Sequence, residues 1–148
     1  MNTVGLLQST LDDLSKAVCT DDFALYEKHV LLPFNLVTDR ANLYVTTLQD
    51  LEEGFDAFVC GLQAKGATSM IRLVETAHFT ARGDIHGTYV THLMGGGLPV
   101  APPFRSEVTL RNVDGIWKAC TISNSMQNAS WPIMIPQIED HTSHFSAE

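Results

Sequence analysis

Apolar residues recur at helical spacing from the first positions of the chain. Val4, Leu7, Leu11, Leu14 and Val18 step by three and four, which puts them on one face of an amphipathic helix. Thr20-Asp21-Asp22 interrupts the run and offers caps for a short second helix, Phe23 to about His29. Pro33 lacks an N–H and biases Leu32 away from the α region, so helical character ends there. Phe34–Thr38 and Asn42–Val45 read as short strands around the turn Thr38-Asp39-Arg40-Ala41. A third helix starts at Thr47, which with Asp50 forms a capping-box-like entry. Its apolar stripe is Leu48, Leu51, Phe55, Phe58 and Leu62, and Gly66 is its stop.

From Ser69 the period changes from 3.6 to 2. Ser69–Thr80 and Asp84–Met94 read as long strands joined near Arg82-Gly83. Gly95-Gly96-Gly97 and Pro99 to Pro103 break the alternation and make a loop. Phe104–Val113 and Ile116–Asn124 are two more strands, joined by Asp114-Gly115. That dipeptide signals a two-residue hairpin, because both central positions must tolerate positive φ. Residues 126–148 contain Trp131-Pro132-Ile133-Met134-Ile135-Pro136, whose prolines forbid a regular helix; they read as an apolar strap packed on the body or on a partner. Helices first, then long antiparallel strands, is an α+β order, with the helices covering one sheet face. The whole of 1–148 reads as one domain.

Hairpin pairing sets the faces. With Asp114-Gly115 as the turn, Val113 pairs with Ile116 and Asn112 with Trp117. Phe104, Ser106, Val108, Leu110, Trp117, Ala119, Thr121 and Ser123 then share the pocket wall. Arg105, Glu107, Arg111, Ile116, Lys118, Cys120 and Ile122 share an outer face. In the earlier hairpin, a two-residue turn puts Ile71, Leu73, Glu75, Ala77 and Phe79 with His86, Thr88, Val90 and His92. Arg72, Thr76, His78, Tyr89 and Thr91 then share the other face; a three-residue turn would flip the second strand relative to the first.

The formal net charge of −8 argues against non-specific nucleic-acid binding, which needs clustered Lys and Arg. No apolar run reaches the ~18 residues of a membrane helix, and the opening residues are not a signal peptide, so the expected location is cytoplasmic. The three cysteines, Cys19, Cys60 and Cys120, lack CxxC spacing and read as buried, reduced residues.

Glu75 is the first candidate for chemistry. On an apolar stripe its carboxylate would be desolvated and its pKa raised toward the acid–base range; the plain alternative is an ion pair with Arg72, Arg82 or a helix lysine. His92, diagonal to it in the two-residue-turn register, or Tyr89 in the other register, would polarise a substrate oxygen. His78, His86, Phe55, Phe58, Ser106, Trp117 and Thr121 are the candidate ligand contacts. Asp39-Arg40 is either an exposed turn or a rim pair orienting a polar substrate. The histidines lack metal-ligand spacing, no Gly-x-Ser-x-Gly is present, and the triple glycine precedes no helix. Neither a metal nor a cofactor is therefore expected.

The helix order, the Leu48–Leu62 helix before the long strands, and the run from Leu110-Arg111 through Asp114-Gly115 to Trp117-Lys118 resemble the NTF2-like (SnoaL-like, ketosteroid-isomerase-like) superfamily over roughly residues 3–126. The resemblance implies a cone: a strongly curved antiparallel sheet wrapped around helices, a pocket between them, and a homodimer through the outer sheet face. It implies binding of a small, largely hydrophobic molecule, with acid–base isomerisation, cyclisation or dehydration as the associated chemistry, or else a non-catalytic homodimeric ligand- or protein-binding module. The isomerase set of aspartate base, tyrosine and protonated acid is not matched, although Tyr26 and Asp39 fall in suitable regions.

Overall fold

The structure is a computed structural model that describes residues 2–38 and 42–124. The Asp39-Arg40 pair and the 126–148 strap lie outside the described residues. The first helix, α1, spans Thr3–Cys19 and buries Leu7, Leu11, Leu14 and Val18, while Val4 remains exposed. Asn2 caps it, its side-chain oxygen accepting the Gly5 N–H. Helix α2, Phe23–Lys28, is capped by Asp22 in the same manner. Strands β1 (Val30–Val37) and β2 (Asn42–Val45) follow. Pro33 lies inside β1, within the stretch between Val30 and Asn35 where the register shifts, so its missing N–H breaks no regular ladder.

Helix α3, Leu48–Ala64, has Thr47 as its cap and buries Leu51, Phe55, Phe58 and Leu62; Leu48 stays exposed. Gly66, at φ 74, ends it, with Ala67 N–H donating to Leu62 O at 2.9 Å. Strands β3 (Ser69–Phe79) and β4 (Ile85–Gly95) form the long hairpin. Its loop holds Ala81, Arg82 and Gly83, closed by Thr80 N–H donating to Asp84 O at 2.8 Å. The Gly95–Pro103 segment is not wholly a loop: Leu98–Pro99 is a short strand, β5, that turns back onto β4. Strands β6 (Phe104–Val113) and β7 (Ile116–Asn124) flank Asp114 (φ 54) and Gly115 (φ 88), with Asn112 paired to Trp117 and Val113 to Ile116.

The seven-stranded sheet has the order β2-β1-β7-β6-β4-β3, with β5 on β4. It is mixed: β1 and β7 run parallel, and the other pairings among the described residues are antiparallel. The helices cover one face, and the core lies between that face and Leu7, Leu11, Phe55 and Phe58. Two contacts hold α1 down. Gly87 leaves room for Leu7; a Cβ there would overlap Leu7 and the Thr76 carbonyl. Gln8 lays its amide along the free edge of β3. It accepts the Val74 N–H at 3.0 Å and donates to Arg72 O at 2.5 Å, as a neighbouring strand would.

Two β-bulges set the faces. In β3 the register shifts at Glu75, and in β7 at Cys120. Each inserts one residue and reverses the alternation beyond it. Met70, Arg72 and Val74 face the helices before the first bulge, and Ala77 does so after it. In β7, Ala119 faces inward before the second bulge, and Ile122 and Asn124 face inward after it, opposite Val108 and Ser106. Thr121 and Ser123 thereby move to the outer face, opposite Thr109 and Glu107. The three cysteines are free, but Cys19 and Cys60 are exposed and Cys120 only partly covered. The expectation of buried thiols is corrected: all three lie off the apolar stripes that set the core.

Candidate functional site

A cavity of about 40 Å³ opens between the helices and the inner face of the sheet. Its apolar walls are Phe34 and Leu36 of β1, Phe58 of α3, Met70 of β3, Phe104 of β6 and Ile122 of β7. Its polar groups are Tyr26 of α2, Arg72 of β3, Tyr89 and Thr91 of β4, and Asn124 of β7. By volume it takes a few waters or one small functional group.

Arg72 dominates its electrostatics. The residue is 8% exposed. Its Nη1 donates to Ser15 Oγ at 3.4 Å, and its Nε is buried with no hydrogen-bond acceptor among the described residues. No ion pair among those residues includes it. Cζ lies 5.9 Å from the centre of the Tyr89 ring, within cation–π range. The Thr91 hydroxyl, across the hairpin in register with Arg72, is also buried without a partner among the described residues. Ser106 stands behind this row and donates to Asn124 Oδ1.

Burial pushes the Tyr26 phenol up to about 12, and burial also raises Tyr89, with the Arg72 charge opposing both shifts. Both are therefore protonated donors at neutral pH. Tyr26 is held by Phe55 at 4.8 Å between ring centres, and Phe23 closes on Phe55 at 5.4 Å.

Of the residues singled out in the sequence, the structure brings Tyr89 and Phe58 to the cavity. Phe55 supports Tyr26 from behind, and Ser106 lies one layer out. The remainder sit elsewhere. Glu75 is on the outer face, where Arg105 reaches across β4 to grip both carboxylate oxygens at 2.6 and 2.9 Å. That hydrogen bonding holds the Glu75 carboxyl below its ordinary value, the reverse of the desolvated base expected. His92 faces outward opposite Ile71. His78 and His86 lie outside with ring centres 5.7 Å apart and planes tilted by 58°, and His86 is bonded to Thr109 Oγ1 and Glu107 Oε1, each at 3.2 Å. Trp117 packs at the far end of the sheet, 6.3 Å from Phe79, and its carbonyl contacts His29 Nδ1 at 3.0 Å. Thr121 is turned outward by the Cys120 bulge.

Sequence reasoning missed Arg72, Thr91 and Asn124 as site residues. A signal is present for two of them: the alternation puts Arg72, Tyr89 and Thr91 on one face, but Ile71 and Leu73 make the opposite face look like the core. Among the described residues no cluster of His, Cys, Asp or Glu could hold a metal ion. Nor is any helix there long and apolar enough to cross a membrane.

No family model and no curated protein matches the chain in sequence. Solved structures do match. An NTF-2-like protein of unknown function from Shewanella oneidensis MR-1 is 10% identical, with 82% of this chain and 98% of that one covered at a TM-score of 0.64. Aln2 from a Streptomyces species is 14% identical, with 80% and 86% covered and a TM-score of 0.62. Bal32a, from a soil-derived mobile gene cassette, is 10% identical, with 88% and 97% covered and a TM-score of 0.54. The chain has the NTF2-like fold: an α+β cone with N-terminal helices packed on a large curved sheet. At these identities the likeness is one of fold, and function must be argued from the cavity.

Proposed function

We propose that the cone cavity binds a small, largely hydrophobic molecule and holds it by an oxygen. The observation that carries this is the pairing of apolar walls with buried donors that the described residues leave unanswered, Arg72 Nε and Thr91 Oγ1. Ligand sites have this composition: mostly apolar surface with a few convergent polar groups. Among the described residues no aspartate, glutamate or histidine lines the cavity. Its ionisable groups are protonated donors, which orient an oxygen but accept no proton. The reading favoured is a binding protein; an acid–base role for Glu75 and His92 has no geometric support.

Thermal-shift titration of small apolar oxygen-bearing compounds tests this. Wild-type protein should gain stability with ligand. Thr91→Leu, which fills the cavity and removes a hydroxyl without a partner among the described residues, should lose the gain. An equal gain in both proteins would place binding elsewhere.

A second reading concerns the outer sheet face, which we propose forms a homodimer. Ile71 and Leu73 are 45% and 51% exposed there, with Val90 beside Leu73. The apolar patch lies on β3 and β4 rather than at Ile122, which the bulge turns inward. Light scattering at micromolar concentration should give a dimer mass, and Leu73→Glu a monomer; a monomeric wild type would end this reading.

A further inference from the structure

We propose that Arg72 is an anion receptor, and that the cavity's ligand is a small monocarboxylate whose head meets the guanidinium. The inference rests on the reading of the cavity as a ligand site and adds the charge and head group of the ligand.

Arginine cannot shed its proton in a protein, so burial leaves a fixed positive charge. Such a charge is costly unless a counter-ion and hydrogen bonds answer it. Arg72 is buried, has one long hydrogen bond to a neutral hydroxyl, and has no carboxylate in ion-pair contact among the described residues. Two other arginines show what this chain does with the same group. Arg105 presents its Nε–Nη2 edge to Glu75, and Arg111 presents the same edge to Asp84. In Arg72, Nη1 is the nitrogen that Ser15 holds, and Nε, on the opposite edge, meets no acceptor among the described residues. A carboxylate matches that planar fork with two parallel bonds.

The surroundings select the ligand further. A single cation balances a monoanion; a doubly charged phosphate would leave one charge buried and unmatched. The Thr91 hydroxyl is placed to donate to the same head group, and Tyr26 and Tyr89 line the same space. Phe58, Met70 and Phe104 offer only apolar contact and suit a short hydrocarbon stem. The volume of about 40 Å³ admits the head and the first carbons, with any longer stem directed to the opening. The chain as a whole is acidic, at −8, so long-range attraction does not draw anions to it. Among the described lining residues, Arg72 is the cation that can select an acid.

Calorimetric titration of the full chain with propionate and with propionamide, its neutral isostere, tests this. The expected result is one site, with propionate bound at least about tenfold more tightly than the amide. Arg72→Gln should weaken propionate about ten- to a hundredfold and propionamide by much less, so that the preference for the acid is lost. The wild-type comparison stands even if that variant fails to fold. Equal affinity for acid and amide would overturn the anion receptor while leaving the cavity a ligand site. Binding of neither would overturn both. Propionate binding that survives Arg72→Gln undiminished would assign the acid to another cation and overturn the inference.

Discussion

The Arg72 guanidinium stands over the ring of Tyr89, 5.9 Å from Cζ to the ring centre, and both residues are buried. They come from adjacent strands, β3 and β4, and each lines the cavity. The ring face gives the cation a partial electrostatic partner without neutralising it. Stability and binding therefore oppose each other at Arg72. Arg72→Met removes a buried charge that is unmatched among the described residues, while conserving length and apolar contact. Urea unfolding should show the variant as stable as wild type or more so, by about 1–3 kcal/mol. A loss of stability would mean that Arg72 is structurally satisfied.

Gln8 performs a strand's task with a side chain. Its amide occupies two backbone groups at the β3 edge, one of them the carbonyl of Arg72 itself. Gln8→Leu leaves both groups partly buried without partners and should cost about 1–3 kcal/mol. Hydrogen exchange at the Val74 amide should accelerate in the variant. Unchanged protection there would show that the edge does not depend on Gln8.

Gly87 is where α1 approaches the sheet. Gly87→Ala places a methyl group against Leu7 and against the Thr76 carbonyl, and the backbone atom has no rotamer with which to yield. Urea denaturation should report a loss of about 1–3 kcal/mol or more. A neutral result would mean that α1 sits further from β4.

The buried phenols give the protein an alkaline limit. Tyr26 ionises only near 12 in the fold, against 10.0 for a free tyrosine, and Tyr89 is raised in the same direction. Between those values the folded state keeps protons that the unfolded chain releases, so stability falls as pH rises through that window and is unaffected below it. In a Tyr44→Phe background, which removes the exposed tyrosine, tyrosinate absorbance should rise together with loss of near-ultraviolet dichroism. Ionisation that precedes unfolding would show that the phenols reach solvent.

The helices were legible from the stripes of α1 and α3 and from the caps at Asp22 and Thr47, whereas β5 was hidden among glycines and prolines that read as a loop. Asn112 faces Trp117 as the Asp-Gly turn requires. The site was less legible, for a local reason. A period-2 reading carries parity straight through Glu75 and Cys120, and the chain reverses parity at both. Nothing in residue type marks either as a bulge. The face assignment of β3 failed separately: Ile71 and Leu73 look like core but face outward, since apolar character permits exposure. Arg72 lies between them in sequence and points the other way. Glu75→Gln accordingly should leave ligand binding unchanged in the calorimeter; a large loss would return Glu75 to the site.

The most direct measurement is a ¹H–¹⁵N titration of the full chain with propionate, following the arginine Nε–H resonances. A ligand in the cone should move the Arg72 Nε–H together with the Thr91, Phe104 and Asn124 amides, while Arg105 and Arg111 stay in place. Movement confined to Arg105 or Arg111, with the cavity resonances fixed, would contradict a ligand-binding cone.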